Sequence, residues 1–367
     1  MQAWTAVPRL RFGAIPPWGV MTAMRIDGFQ FLCNLGVILV SLLLGTLLVA
    51  GLVEWVGGNA GTALLALGRG MVGSRQAIVE IIIEATPLAL CALAFLIPFK
   101  AGFFNIGAQG HLQLGALTAV FITTTMSLPA LLLIPVALLA SALAGAALIA
   151  PAYLLKTRRG SSEVVTTVML DFVALEFTYA MITGPLQAPG SFFAESNLIP
   201  EQYRLPVLGV HVGVHLAIIL IVLASWVLRS TVFGFRLEAL GGNPRASEAL
   251  GMHTGPTLMK AVLLAGAIGG IAGGIQVMGV IFQVAEGWAK DWGFLGILVA
   301  LMGRTPIGAI FAALLLAGLE IGGRHMQALT GLPSSLVYLL QSVPVLILLV
   351  LSSTRGFRKF STPGASR

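Results

Sequence analysis

Long runs of uncharged, apolar residues constrain this chain more than any other feature of its sequence. A helix needs about 20 such residues to cross the roughly 30 Å hydrocarbon core of a bilayer. Apolar runs recur between residues 31 and 352, and 57% of the 367 residues are hydrophobic whereas only 10% are charged. A soluble domain carries roughly 25% charged residues. The chain therefore lacks the residues for a solvated surface and is expected to lie in a lipid bilayer.

The apolar runs predict about ten membrane spans. They lie at 31–53, 83–99, 106–126, 129–154, 163–184, 209–228, 258–282, 292–303, 306–323 and 333–352. The runs at 83–99 and 292–303 are short and carry or adjoin Pro and Gly, which predicts broken or half-length helices. Lipid cannot satisfy free backbone groups, so such helices must be buried or line a cavity. The predicted fold is an all-α, polytopic transmembrane helical bundle.

The positions of Lys and Arg predict the orientation of the chain. With the N-terminus inside, sixteen of the 21 basic residues fall on the cytoplasmic side or at its membrane edge. The five that fall outside are Arg69, Arg75, Arg204, Lys290 and Arg324. This asymmetry follows the positive-inside rule, so both termini are expected in the cytoplasm. Residues 1–30 form the predicted N-terminal segment, 31–352 the transmembrane domain and 353–367 the C-terminal tail.

The same distribution argues against a nucleic-acid partner. The formal charge is +7, but the basic residues form short clusters between apolar runs rather than one dense stripe. The sequence has no phosphate loop for ATP and no zinc-protease, Cys-x-x-Cys or nucleophile-elbow motif. Cys33 and Cys91 both lie in apolar runs, so neither a disulfide nor a metal site is expected. The chain is predicted to act without catalytic residues, metal or cofactor.

Polar residues within the apolar runs are the first candidates for a functional site. Asn105, Gln109 and Gln113 recur every four residues, which predicts one shared helix face. This stripe, with His111 beside it, either lines a substrate path or makes hydrogen bonds between helices.

Two acidic residues lie in the fifth predicted span, where a charged group costs about 2.5–3.5 kcal/mol at mid-bilayer. Asp171 and Glu176 have either a gating role or a paired, structural one. In the seventh span, Gly266, Gly270 and Gly274 repeat at four-residue spacing, which predicts a close-packing face between helices.

A short helix is predicted in the cytoplasmic loop 229–257. Asn243 suits the N-cap, Pro244 suits the first helical position, and Gly251 suits the end. The helix is either a docking surface for a partner or part of an ordinary ordered loop. Its candidate contact residues are Asn243, Pro244, Arg245, Ala246 and Glu248.

Four segments together resemble permeases of bacterial ABC importers for nucleosides and simple sugars, which are related to branched-chain amino acid and ribose permeases. The first is Ala101-Gly102-Phe103-Phe104-Asn105-Ile106-Gly107-Ala108-Gln109-Gly110-His111, and the second is Glu163 to Asp171, followed by Gly184-Pro185-Leu186 and Pro189-Gly190-Ser191. The third is Gly241-Gly242-Asn243-Pro244-Arg245-Ala246, ending in Gly251, and the fourth is Gly293-Phe294-Leu295-Gly296-Ile297 leading to Gly303-Arg304-Thr305-Pro306-Ile307-Gly308. They follow the family's order over about residues 80–350. The chain departs from the family pattern at Gln109, His111, Asp171, Glu238 and Leu295.

The resemblance implies a ten-span subunit of the bacterial inner membrane that forms the path of an ATP-driven importer. It implies pairing with a second copy or a sister permease, two cytoplasmic ATPase subunits and an extracytoplasmic substrate-binding protein. A nucleoside is the first expected cargo, and a sugar or another small metabolite is the alternative. An ion-coupled secondary transporter is a different reading, in which Glu84, Asp171 or Glu176 would carry the ion.

Overall fold

The computed structural model describes residue 40, residues 43–48, 50–55 and 57–333, and residues 338–339, 342–343 and 346–347. The continuous part holds helices α1 Ala60–Val72, α2 Arg75–Phe99, α3 Ala108–Thr125, α4 Ala130–Arg159, α5 Glu163–Ile182, α6 Val212–Ser230, α7 Val232–Gly242, α8 Pro244–Ala249, α9 Thr254–Gln276, α10 Trp292–Gly303 and α11 Pro306–Thr330. A π-helical turn, Val277–Ile281, continues α9, and a small antiparallel hairpin, β1 Val207–Leu208 and β2 Val210–His211, precedes α6.

Six described helices are long and apolar enough to cross a membrane, namely α2, α4, α5, α6, α9 with its π turn, and α11. The helices α1 and α10 are apolar but shorter. The chain is therefore a multi-pass helical membrane protein. The predicted spans at 31–53 and 333–352 lie largely outside the described residues, as do the segments 1–30 and 353–367.

The expectation that 83–99 is a short, broken helix is wrong. The helix α2 is continuous over 25 residues and contains Pro87. It begins at Arg75 because the Ser74 hydroxyl accepts a hydrogen bond from the Ala77 amide at 3.0 Å, which caps the first turn. The helix α10 does end where predicted, and its 12 residues span only about 18 Å.

The predicted close-packing face of the seventh span is confirmed in α9. A Cβ atom at Gly270 would collide with the carbonyl oxygen of Ser141 on α4, and one at Gly273 with the carbonyl oxygen of Leu112 on α3. A Cβ atom at Gly274 would lie 2.8 Å from the Ser141 hydroxyl. The backbone of α9 therefore contacts the backbones of α3 and α4 directly, so these helices pack at short interaxial distances.

The predicted helix in the loop 229–257 is also confirmed. The Asn243 side chain accepts a hydrogen bond from the Ala246 amide at 3.1 Å, Pro244 takes the first helical position, and Gly251 has a positive φ of 77°. A second helix that the sequence did not suggest, α7, fills the first half of the same loop, and the Thr231 hydroxyl caps it.

Candidate functional site

The turn between α2 and α3 is fixed by Asn105, which is fully buried. Its side-chain amide donates to the Ala94 carbonyl at 3.2 Å, and its side-chain oxygen accepts from the Gly107 amide at 3.1 Å. Because this side chain bonds the backbone two residues ahead, it favours a turn over a helix. The helix α3 begins only at Ala108. The expectation that Asn105 shares a helix face with Gln109 and Gln113 is therefore wrong.

Gln109 and Gln113 both hold the segment that leads into α10. The side-chain oxygen of Gln109 accepts a hydrogen bond from the Gly293 amide at 2.7 Å, and its nitrogen donates to the Ala289 carbonyl at 3.3 Å. The side-chain oxygen of Gln113 accepts from the Trp288 indole at 2.7 Å. The first amides of a helix have no partner within it, so Gln109 satisfies one of those of α10.

Gly293 is required for this close approach. A Cβ atom there would collide with the backbone nitrogen and Cα of Gln109. The first turns of α3 and α10 therefore touch inside the bundle. Each carries the partial positive charge of a helix N-terminus, so the contact places two such ends side by side.

Asp171 on α5 accepts a hydrogen bond from the first turn of α3. One of its carboxylate oxygens accepts from the Gly110 amide, in the first turn of α3, at 2.7 Å. A Cβ atom at position 110 would lie 2.6 Å from that oxygen, so Gly110 is needed for the contact. The other oxygen has no hydrogen-bond partner among the described residues. An acidic group at a helix N-terminus is electrostatically favourable.

Glu84 on α2 completes the cluster with three partners. Its carboxylate accepts from the Trp292 indole at 2.8 Å and lies 3.3 Å from the Lys290 ammonium and 3.6 Å from the Arg324 guanidinium. The Lys290 nitrogen also lies 5.7 Å from the centre of the Trp292 ring. This arrangement ties α2, α10 and α11 together around one buried acid.

The other two predicted site residues lie elsewhere. The His111 ring packs against Gly269 of α9, and its Nδ1 atom is buried without a hydrogen-bond partner in the described part of the chain. Glu176 is exposed on the opposite side of α5 from Asp171. The structure thus brings Asn105, Gln109, Gln113 and Asp171 to one region and places His111 and Glu176 outside it.

Four partners in this region were not identified from the sequence: Trp288, Lys290, Trp292 and Arg324. Trp288 and Trp292 are both buried, and their rings meet edge to face at 6.1 Å. A buried indole N–H usually finds an acceptor. The spacing of Trp288 and Trp292, four residues apart, was the sequence feature from which these hydrogen bonds could have been suspected.

The loop helix α7 contacts the turn that follows α2. A Cβ atom at Gly241, near the end of α7, would collide with the carbonyl oxygen of Lys100, which follows α2. In α8, Asn243, Pro244, Arg245, Ala246 and Glu248 are all exposed. The Glu248 carboxylate accepts a hydrogen bond from the Thr254 hydroxyl at 2.8 Å. The loop 229–257 therefore contacts both the first residue of α9 and the turn between α2 and α3.

The polar side chains of the region make hydrogen bonds and ion pairs with one another and with the main chain. Within residues 57–333 and the other described residues, no three His, Cys, Asp or Glu side chains are placed to hold a metal ion. The polar groups mostly bond to main-chain atoms of neighbouring helices. These bonds fix how the first turns of α3 and α10 meet.

A family model and several known proteins that resemble this chain are all permease components of transporters. A sequence model of the family described as branched-chain amino acid transport system / permease component matches residues 77–350. The chain is 32% identical over 336 residues to the guanosine ABC transporter permease protein NupP of Bacillus subtilis, covering 88% of this chain and 94% of that one. It is 32% identical over 285 residues to the nucleoside ABC transporter permease protein NupB of Lactococcus lactis, covering 72% and 77%.

A relative named for a sugar is similar to the same degree. The glucose ABC transporter permease protein of Haloferax volcanii is 31% identical over 300 residues, covering 78% of this chain and 79% of that one. No solved structure matches the chain.

Proposed function

The chain belongs to the family of branched-chain amino acid transport permease components and is a permease subunit of an ABC importer, and we propose that its cargo is a nucleoside. The observation that carries this proposal is the likeness to the guanosine permease, which extends over nearly the whole of that protein. A sugar is the second candidate, because the relative named for glucose is almost as similar. The ion-coupled alternative has no support of this kind.

Competitive uptake tests the cargo directly. In bacterial cells that lack the gene, labelled guanosine uptake should fall, and reintroducing the gene should restore it. Unlabelled nucleosides should then compete with the labelled guanosine, and glucose should not. Uptake that depends on the gene and is competed by glucose but not by nucleosides would favour the sugar reading.

We further propose that six polar residues shape the substrate path: Asn105, Gln109, His111, Gln113 and Asp171 from within the helix bundle, and Glu176 from the exposed side of α5. The contacts described above support different roles for them. Asn105 shapes the turn, Gln109 and Gln113 position α10, and Asp171 stabilises the first turn of α3. His111 lies on the α9 side of α3, and Glu176 lies on the outer face of α5.

Energy is proposed to arrive through α8. Family members work with ATPase and substrate-binding partners, and an assembly of two permease subunits, two ATPases and one extracytoplasmic binding protein is proposed here. The helix α8 is exposed and firmly capped, and α7 joins it to the Lys100 turn by backbone contact. Closure of the ATPases would therefore move the α2–α3 turn and, through Gln109, α10.

A pair of variants tests this docking role. Ala246→Pro breaks α8 at its third residue, and Arg245→Glu inverts an exposed charge on it. Both should reduce co-purification with the ATPase and the ATP hydrolysis that cargo stimulates. Glu248→Lys is a poorer probe, because Glu248 also bonds Thr254. Normal complex formation and normal stimulation in both variants would move the coupling role to another loop, such as 155–162.

A further inference from the structure

The helix α5 has one buried side and one broad exposed side. It packs against α3 and α4. Its buried residues are Glu163, Thr167, Asp171, Ala174, Thr178 and Ile182, which recur every three or four positions. Phe172 and Tyr179 on the other side are 56% and 44% exposed, and Glu176 between them is exposed too.

A Glu176 side chain that faced lipid would be energetically unfavourable. It is the fourteenth of the 20 residues of α5, so it lies about 9 Å along the axis from the helix end at Ile182. Among the described residues it has no hydrogen bond or ion pair. Ionisable groups inside spans almost always face a protein partner or a water-filled cavity. The exposed side of α5 is therefore expected to face protein or water.

Aromatic rings flank this carboxylate on the same face. At about 100° per residue, Phe172 lies about 40° and Tyr179 about 60° around the helix from Glu176. The two rings are separated by seven residues, or about 10 Å along the axis. Both rings lie on the same side of Glu176 around the helix, and Glu176 lies between them along the axis. One acceptor beside two aromatic rings matches a solute that has both a flat ring and hydrogen-bond donors.

We propose that Phe172, Glu176 and Tyr179 form the cargo-contacting stripe of the translocation path, which a second permease subunit of this family closes from the other side. The inner face of α5 is filled by packing against α3 and α4, so a path along this stripe must run between two subunits. The proposal rests on the nucleoside cargo proposed above. The base stacks on the rings, and the Glu176 carboxylate accepts hydrogen bonds from the ribose hydroxyls.

Guanosine uptake by the complete transporter tests the stripe. Glu176→Gln should lower the initial rate at limiting guanosine by about tenfold or more, because a charge-assisted hydrogen bond is lost. Phe172→Leu and Tyr179→Leu should each lower it by about fivefold or more, through lost stacking. Phe177→Leu is the matched control, since its exposed ring points about 100° away from Glu176. Its rate should stay within about twofold of wild type at equal membrane abundance.

Selectivity separates a contact with cargo from a structural effect. The wild-type transporter should prefer guanosine to its 2′,3′-dideoxy analogue, and Glu176→Gln should reduce this preference. A misfolded variant would lose both cargoes equally. If the wild type carries guanosine and the three variants match it in rate and preference, the proposed stripe is wrong and the proposed nucleoside cargo stands. If the wild type carries glucose and no guanosine, the proposed cargo is contradicted first, and the stacking role with it.

Chemical labelling tests where the stripe lies. Glu176→Cys is made in a chain with Cys33→Ser and Cys91→Ala. A water-soluble, membrane-impermeant maleimide should label this cysteine in the assembled transporter. Labelling only by a lipid-soluble reagent would place the residue in the bilayer and overturn the proposal. Absence of labelling by both reagents would place it in a dry subunit interface and overturn the proposal equally.

Discussion

Three buried polar side chains of the candidate site each bond to the main chain of another segment. Asn105 bonds α2, Gln109 bonds the residues that begin α10, and Asp171 bonds α3. A buried donor or acceptor that loses its partner costs about 1–3 kcal/mol. Stability and uptake must therefore be measured separately for variants of each of these side chains.

Asn105 and Gln109 should respond differently to the same substitution. Asn105→Leu leaves the Ala94 carbonyl and the Gly107 amide unpaired in a fully buried turn, so it should lower membrane abundance and the unfolding temperature in detergent. Gln109→Leu should keep abundance near wild type and lower uptake, because it frees the start of α10. Thermal stability and labelled-guanosine uptake are measured on both variants. Wild-type uptake in both variants would show that Asn105 and Gln109 serve only the packing of the helices.

The hydrogen bond between Gln113 and Trp288 should appear as a coupling energy. A double-mutant cycle with Gln113→Leu and Trp288→Phe, measured by unfolding in detergent, should give about 0.5–1.5 kcal/mol. Phenylalanine preserves a ring next to Trp292 while removing the indole N–H. The same cycle between Gln113→Leu and Phe177→Leu, which share no contact, should give a value near zero. Similar values in the two cycles would contradict the assigned bond.

At the scale of elements, contact between α7 and the end of α2 is the proposed route from the ATPase to the path. Two adjacent glycines allow a matched test. Gly241→Ala places a methyl group against the Lys100 carbonyl, whereas a Cβ atom at Gly242 meets nothing within 4 Å. Both substitutions gain about the same helix propensity. Gly241→Ala should uncouple ATP hydrolysis from guanosine uptake, and Gly242→Ala should behave as wild type. Equal coupling in both variants would argue against this route.

Elements that depend on local spacing were predictable from the sequence. The glycine repeat of α9 and the Asn243 cap of α8 follow from periodicity and capping chemistry, which act over a few residues. The bounds of α10 follow its apolar run. The continuity of α2 through Pro87 was not predictable, because neighbouring helices stabilise a proline-containing segment that would be weak alone. The partners of Gln109, Gln113 and Glu84 lie more than 170 residues away. Only tertiary structure brings such groups together.

At the scale of the whole molecule, we expect ten spans with both termini in the cytoplasm. Reporter fusions after Arg159, near Arg245 and after Arg358 should read cytoplasmic. A fusion at Gly190 should read external. Gly190 suits such a fusion because it lies in an exposed turn. A cytoplasmic reading at Gly190 would reverse the orientation of α5 and α6 and contradict the sixteen-to-five charge argument.

The central claim is that this chain forms an ATP-driven path for a nucleoside, and reconstitution tests it most directly. The assembled transporter is placed in proteoliposomes, with labelled guanosine and the binding protein on one side and ATP on the other. The account predicts guanosine accumulation that requires ATP and falls sharply in Glu176→Gln. Accumulation that proceeds without ATP under a proton or sodium gradient, or that occurs with glucose and not with guanosine, would contradict it.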